Sequence, residues 1–243
     1  MTDPAFARAA KIATVHQRLG EAYGLPVWSP PDEPPIDELV HSFLGQNTSD
    51  VNSGRAYAAL KAAYRDWQAV MDAPLDEFTA VIRSCGLANR KAPRIQKALR
   101  TIQAGRGDFD LIWLAGLPVN EARGWLTGLD GIGNKSASIL LLFSFNRPAF
   151  PVDTHVGRVT VRLGLAPTQA SPDKIMGMFE AHAPAAWYYP LHLNLIRHGR
   201  QVCQARQPRC GACVLRDICD YGRTTAMNYR QSSGSTRRRL PEI

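Results

Sequence analysis

An all-α fold is predicted for this 243-residue chain on three observations. Apolar residues recur at three- and four-residue intervals almost throughout. No stretch alternates convincingly as a strand. Proline and glycine fall where helices should begin and end. Taken in order, Ala9, Ile12, Ala13, His16 and Leu19 mark a first helix. Trp28–Pro35 (WSPPDEPP) carries four prolines and reads as an extended linker. Asp37 then opens a helix with an apolar stripe of Leu39, Val40, Phe43 and Leu44. Further stripes are Tyr57, Leu60 and Tyr64; Phe78, Val81 and Ile82; and Ile95, Leu99 and Ile102. Two more helical stretches, Asn120–Thr127 and Ser136–Phe145, flank a glycine-bearing turn. Ser171 before Pro172 is an N-cap followed by an N1 proline, opening a helix with Ile175, Met176 and Phe179. Trp187–His198 is the next helix, with Gly199 predicted at its C-terminal end. Val159-Thr-Val161 is the best strand candidate, but it lies inside a helical pattern.

With 29 basic and 21 acidic residues the formal net charge is +8, and the sequence pI is about 9.5. A basic balance of this size points towards nucleic acid. From Thr224 onward the composition turns polar, and Arg230, Arg237, Arg238 and Arg239 against Glu242 give a basic tail that is predicted to be disordered. The longest apolar run, near Ser138–Phe145, is far short of the ~20 residues that cross a bilayer. No hydrophobic leader follows Asp3, Arg8 and Lys11. A reducing cytoplasm is therefore expected.

Four cysteines, Cys203, Cys210, Cys213 and Cys219, fall within 17 residues as C-x6-C-x2-C-x5-C. Four thiolates so close in sequence can enclose one metal centre. A [4Fe–4S] cluster takes four Cys ligands. Structural zinc also takes four, but usually as two separated C-x2-C pairs, and there is only one such pair here. Disulfides would suit a small secreted chain, and this sequence shows no sign of secretion. Iron–sulfur is the preferred reading, with zinc as the alternative. Cys85, outside the group, reads as a small buried residue.

The turn Leu129-Asp-Gly-Ile-Gly-Asn-Lys-Ser-Ala137 lies between two helices. Gly131 and Gly133 let backbone N–H groups face outward at the second helix's N-terminus, which is an anion site. Ile132 between them reads as a buried plug. Such a contact is to phosphate, so it supplies affinity and register rather than sequence preference. Lys135 falls in the first turn of that helix, where the dipole disfavours a cation. An amine there can act as a nucleophile and form a Schiff base; the plainer reading is a phosphate-contacting lysine. Shortly after comes Phe150-Pro-Val-Asp-Thr-His155, in which Asp153 suits the N-cap of a helix running to Leu163. Its carboxylate either only caps or also stabilises positive charge on a substrate.

Hairpin and lysine, then V-D-T-H, then His198-Gly199-Arg200 running into the cysteine pattern: in this order the motifs resemble the endonuclease III family of helix-hairpin-helix DNA glycosylases, over roughly residues 36–220. The resemblance implies a two-lobed fold with a DNA-binding cleft between a helical barrel-like domain (34–150) and an iron–sulfur cluster domain (1–33 plus 151–223), leaving 224–243 as tail. It implies Lys135 as the Schiff-base lysine, Asp153 as the catalytic aspartate and the four cysteines as [4Fe–4S] ligands. Gln46 and Leu87 match residues that fill the space left by a flipped nucleotide, and His155 matches one at the pocket mouth. Gly131, Ile132 and Gly133 form the DNA-contacting hairpin, and Arg206 and Arg209 lie on a basic loop shaped by the cluster. The implied activity is excision of oxidised pyrimidines from duplex DNA, followed by strand cleavage at the abasic site. The implied protein is a monomer on damaged double-stranded DNA, in a bacterial cytoplasm at the nucleoid. The alternatives are a monofunctional mismatch glycosylase and a low-activity or non-catalytic DNA-binding paralogue. Two departures are Asp130, where the family usually has proline, and the unusual stretch 104–128; Asp130 is expected to weaken a phosphate contact.

Overall fold

The computed structural model describes residues 4–224, and the helices and turns described contain no strand. The polar tail foreseen at 224–243 lies outside the described residues beyond Thr224. Eleven α-helices are present among the described residues: α1 (Pro4–Tyr23), α2 (Pro35–Gly45), α3 (Asp50–Ala63), α4 (Trp67–Asp72), α5 (Leu75–Val81), α6 (Ala88–Arg106), α7 (Val119–Thr127), α8 (Asn134–Phe145), α9 (Thr154–Leu163), α10 (Pro172–His182) and α11 (Tyr188–Gln201). Val159-Thr-Val161, the strand candidate, lies inside α9. The chain divides into two compact units, Trp28–Pro151 and a second made of Met1–Val27 with Val152–Ile243. The proline-rich stretch from Trp28 belongs to the first of these rather than to the N-terminal segment. Trp28 Nε1 donates to Phe143 O at 2.7 Å and so fastens the stretch to α8.

In the Trp28–Pro151 unit, α8 is apolar on nearly all sides, as a central helix must be. Ala137, Leu140, Leu141 and Leu142 are buried. Helices α2 and α7 pack on it, and α6 packs on α2, α4 and α5. The predicted stripes supply the core: Phe43, Phe78, Ile95, Leu99 and Ile102 are essentially inaccessible to solvent. The unusual stretch 104–128 is part of this core. Leu111 and Leu114 are fully buried, Trp113 stands edge-on to Trp125 at 5.0 Å, and the Arg106 guanidinium lies 4.8 Å from the Trp113 ring. Buried Asp37 ties three helices together, because a carboxylate away from water must find donors. It accepts from Tyr57 Oη at 2.5 Å, Lys61 Nζ at 2.6 Å and Trp67 Nε1 at 3.3 Å.

In the other unit, α11 packs along α9 and α1, and α10 packs on α1 and α9. Ile12, Leu19, Val156, Phe179, Leu191 and Leu195 are buried. Ser171 caps α10 as its sequence predicts, accepting from Lys174 N. Gly199 departs from its prediction. Helix α11 runs on to Gln201, so Gly199 sits inside the helix and does not end it. A Cβ on it would lie 2.9 Å from His155 Cβ and 3.3 Å from an Arg158 guanidinium nitrogen. Its missing side chain lets α9 approach α11. Alanine gains up to about 1 kcal/mol of helix propensity, but overpacking against a Cβ, which cannot swing aside, costs about 1–3 kcal/mol. Gly199→Ala is therefore expected to lower the denaturation midpoint; a raised midpoint would show that α9 yields freely.

Candidate functional site

The turn between α7 and α8 is closed by Ile132 N donating to Leu129 O at 3.0 Å. Leu129 and Ile132 are buried, so the apolar residues of the motif anchor it while Gly133 stays exposed. Gly131 has φ +93°, and a Cβ there would stand 3.0 Å from Arg94 Cδ and 3.1 Å from Phe43 Cε1. Glycine is required at that position on both counts. Gly133 has an extended backbone (φ −100°, ψ 177°), which any residue could adopt. What its missing side chain provides is open space, with no atom within 4 Å of where a Cβ would be. It is the N-cap residue of α8, where the first amides have no partner within the helix and the dipole is positive. An anion can approach the backbone there.

Asp130 on the same turn is paired. Its carboxylate lies 3.7 Å from Arg94 Nε and 3.4 Å from Lys97 Nζ. These half-exposed pairs contribute little stability, but they offset the negative charge that was expected to oppose phosphate. Lys135 lies exposed in the first turn of α8. Gln46, at the C-terminus of α2, donates from Nε2 to Gly131 O at 2.8 Å and so ties its own loop to the hairpin. Leu87 precedes α6 in a left-handed conformation (φ 52°) with half its surface exposed. All of these belong to the Trp28–Pro151 unit.

Asp153 and His155 belong to the other unit. Asp153 is the N-cap of α9, accepting from Val156 N at 2.7 Å. His155 is half-buried, and its Nδ1 is 3.0 Å from an Arg158 guanidinium nitrogen. Burial pushes the His155 imidazole below its ordinary value.

In that unit the four cysteines line one cavity together with Arg162, Arg216 and Tyr221. None is in a disulfide. Thiols that border a shared space can hold a polynuclear cluster, in which each thiolate reaches a different iron. Burial, added to repulsion from the neighbouring cysteines, pushes the Cys213 thiol up to about 11 and raises Cys219 as well. Cationic iron offsets that penalty. The outer partners are in place. Gly222 N donates to Cys219 Sγ, and an Arg162 nitrogen to Cys203 Sγ, both at 3.4 Å. Arg162 also donates to Gln204 O and Ala205 O, closing the loop. His198 is buried and pushed down to about 4, so it is neutral at pH 7. Tyr23 Oη is 2.9 Å from its Nδ1 and Cys213 Sγ 3.4 Å from its Nε2. One tautomer serves both: Nδ1 accepts from the tyrosine and Nε2–H donates to sulfur. Sequence reasoning missed Arg162 and Tyr23, whose only signals were an arginine one turn from Arg158 and a helix-end tyrosine. Arg206 and Arg209 are exposed on the cysteine loop.

The chain matches the HhH-GPD superfamily base excision DNA repair protein family over residues 40–184. It matches the iron–sulfur binding domain of endonuclease III over residues 203–219, so the cofactor is an iron–sulfur cluster of the four-cysteine type. It is 34% identical to endonuclease III of Haemophilus influenzae over 189 residues, covering 77% of this chain and 84% of that protein. It is also 34% identical to protein ROS1C of Oryza sativa subsp. japonica over 173 residues, 64% of this chain, but spans only 9% of that protein's length. Its fold superposes on the structure of a trapped endonuclease III–DNA covalent intermediate with a TM-score of 0.78 and 26% identity, covering 90% of this chain and 98% of that one.

Proposed function

Because the chain belongs to the endonuclease III family within the HhH-GPD superfamily of base excision DNA repair proteins, we propose that it is a DNA glycosylase with abasic-site lyase activity, acting as a monomer on duplex DNA that carries oxidised pyrimidines or abasic sites. The observation that carries this reading is an exposed amine, Lys135, two residues beyond the open backbone of Gly133. A nucleophile thus sits next to a phosphate-binding turn. The likeness to a protein trapped covalently on DNA supports it.

A base within the stack cannot be reached, so the nucleotide must be extruded, at a cost of a few kcal/mol that is least for damaged pairs. Gln46 and Leu87 fill the vacated space, and the hairpin amides hold a backbone phosphate. The Lys135 amine forms a bond to C1′ as the C1′–N bond to the base breaks; the base leaves with a proton, and the Asp153 carboxylate stabilises the positive charge building on the sugar. A proton then passes to the ring oxygen as the C1′–O4′ bond breaks, and the nitrogen lone pair forms the C=N bond of the Schiff base. Removal of a C2′ proton then expels the 3′ phosphate, and water releases the lysine. His155 is read as a further DNA contact. Cys203, Cys210, Cys213 and Cys219 would hold the cluster, which would give structure to the loop that brings Arg206 and Arg209 to the DNA backbone. The exposed lysine at position 135 argues against a monofunctional glycosylase, in which it would serve only as a phosphate contact.

The test is borohydride reduction during incubation with duplexes bearing a panel of oxidised pyrimidines, mismatches or an abasic site. A covalent protein–DNA adduct and a nick 3′ to the lesion are expected with oxidised pyrimidines and with the abasic site. Base release from a mismatch without any adduct would replace this reading with the monofunctional one.

A further inference from the structure

Lys91 is a lysine in an unfavourable place. It lies in the first turn of α6, where the helix dipole opposes a cation. Only 3% of its surface is exposed, and a buried ammonium is costly unless every proton finds an acceptor. Burial accordingly pushes its amine below the ordinary lysine value. The acceptors are specific. Nζ donates to Leu44 O at 2.8 Å and to Cys85 O at 2.9 Å. Leu44 belongs to the last turn of α2, where carbonyls lack partners within the helix, and Cys85 ends a short 3-10 turn. Water could serve such carbonyls at a smaller penalty. What water cannot do is fix their separation.

The two carbonyls stand two residues before Gln46 and two residues before Leu87 respectively. The Lys91 main chain holds the second segment too, since its N–H donates to Leu87 O at 3.1 Å. Leu87 needs that support. A left-handed leucine with its side chain half-exposed is strained by roughly 1 kcal/mol or more and persists only where its surroundings over-determine it. We propose that Lys91 is a positioning residue: its buried amine sets the distance between the Gln46 and Leu87 segments, so that both side chains enter the duplex as one unit. This rests on the reading of Gln46 and Leu87 as fillers of the vacated space.

The experiment uses a duplex with 2-aminopurine, whose fluorescence rises when extrusion of a neighbouring abasic-site analogue unstacks it. Lys91→Met removes the donors at nearly constant volume. It is expected to lower the extrusion signal at saturating protein about tenfold or more, since small misplacements have large effects. Affinity for undamaged duplex should stay within about twofold, as phosphate contacts supply it. Absorbance near 400 nm should be unchanged, and faster hydrogen exchange should be confined to segments 44–49 and 85–90. Lys91→Gln, with no buried charge and a shorter reach, should behave in the same way and keeps the test open if Lys91→Met does not fold. Gln46→Ala and Leu87→Ala are run alongside. If both lose extrusion while the Lys91 variants keep it, the positioning role is wrong and the filler reading stands. If Gln46→Ala and Leu87→Ala keep the full signal, the filler reading fails and takes the proposal with it. Faster exchange spread over the whole unit, with duplex affinity falling in parallel, would reduce Lys91 to a general stabiliser and overturn the proposal.

Discussion

Lys135→Gln is expected to eliminate the borohydride-trapped adduct while duplex binding stays within about twofold. The amide nitrogen of glutamine has its lone pair delocalised and cannot form a Schiff base. The side chain is exposed, and substitutions at such positions usually move stability by no more than about 0.5 kcal/mol, so a folding defect will not imitate the loss. The competing role is phosphate contact. In that case trapping survives, and the slope of log affinity against log salt falls by about 1. Measuring trapping and salt slope on one preparation separates the two roles. Adduct at the wild-type level would move the nucleophile elsewhere.

Asp153→Asn is expected to slow single-turnover base release by about 100-fold or more, the range found when one preorganised electrostatic partner of a transition state is removed. Asparagine caps a helix as well as aspartate does. Its carbonyl can accept from Val156 N as Asp153 does at 2.7 Å, so the denaturation midpoint should not move. Asp153→Ala loses cap and charge together and should be about 1 kcal/mol less stable as well. Trapping on a preformed abasic site should survive in Asp153→Asn, because that substrate has no base to expel. An Asp153→Asn variant that releases base at the normal rate would leave Asp153 as a cap only.

Much of the fold could be read from the chain because helical spacing of apolar residues is a local signal. The stripes at Phe43, Phe78 and Ile95 lie in the core, and Ser171 and Asp153 cap as their residue types require. Gly199 could not be read. A glycine that ends a helix and one that admits a neighbouring helix look alike in sequence, and the difference lies in His155, 44 positions away. Asp130 looked like an isolated negative charge because Arg94 and Lys97 reach it from another helix. Lys91 looked like one more surface cation; its burial depends on which carbonyls two distant segments bring to it.

Four thiols within 17 residues, two glycines and a lysine in one turn, and an acid ahead of a helix are fixed by covalent spacing, so residue order by itself determined the family, the cofactor and the candidate groups. Only the tertiary structure decided which charges are compensated, which glycine is a packing device and which lysine is buried. Those properties depend on the solvent and partners each group meets, and partners far apart along the chain become neighbours only when the core closes.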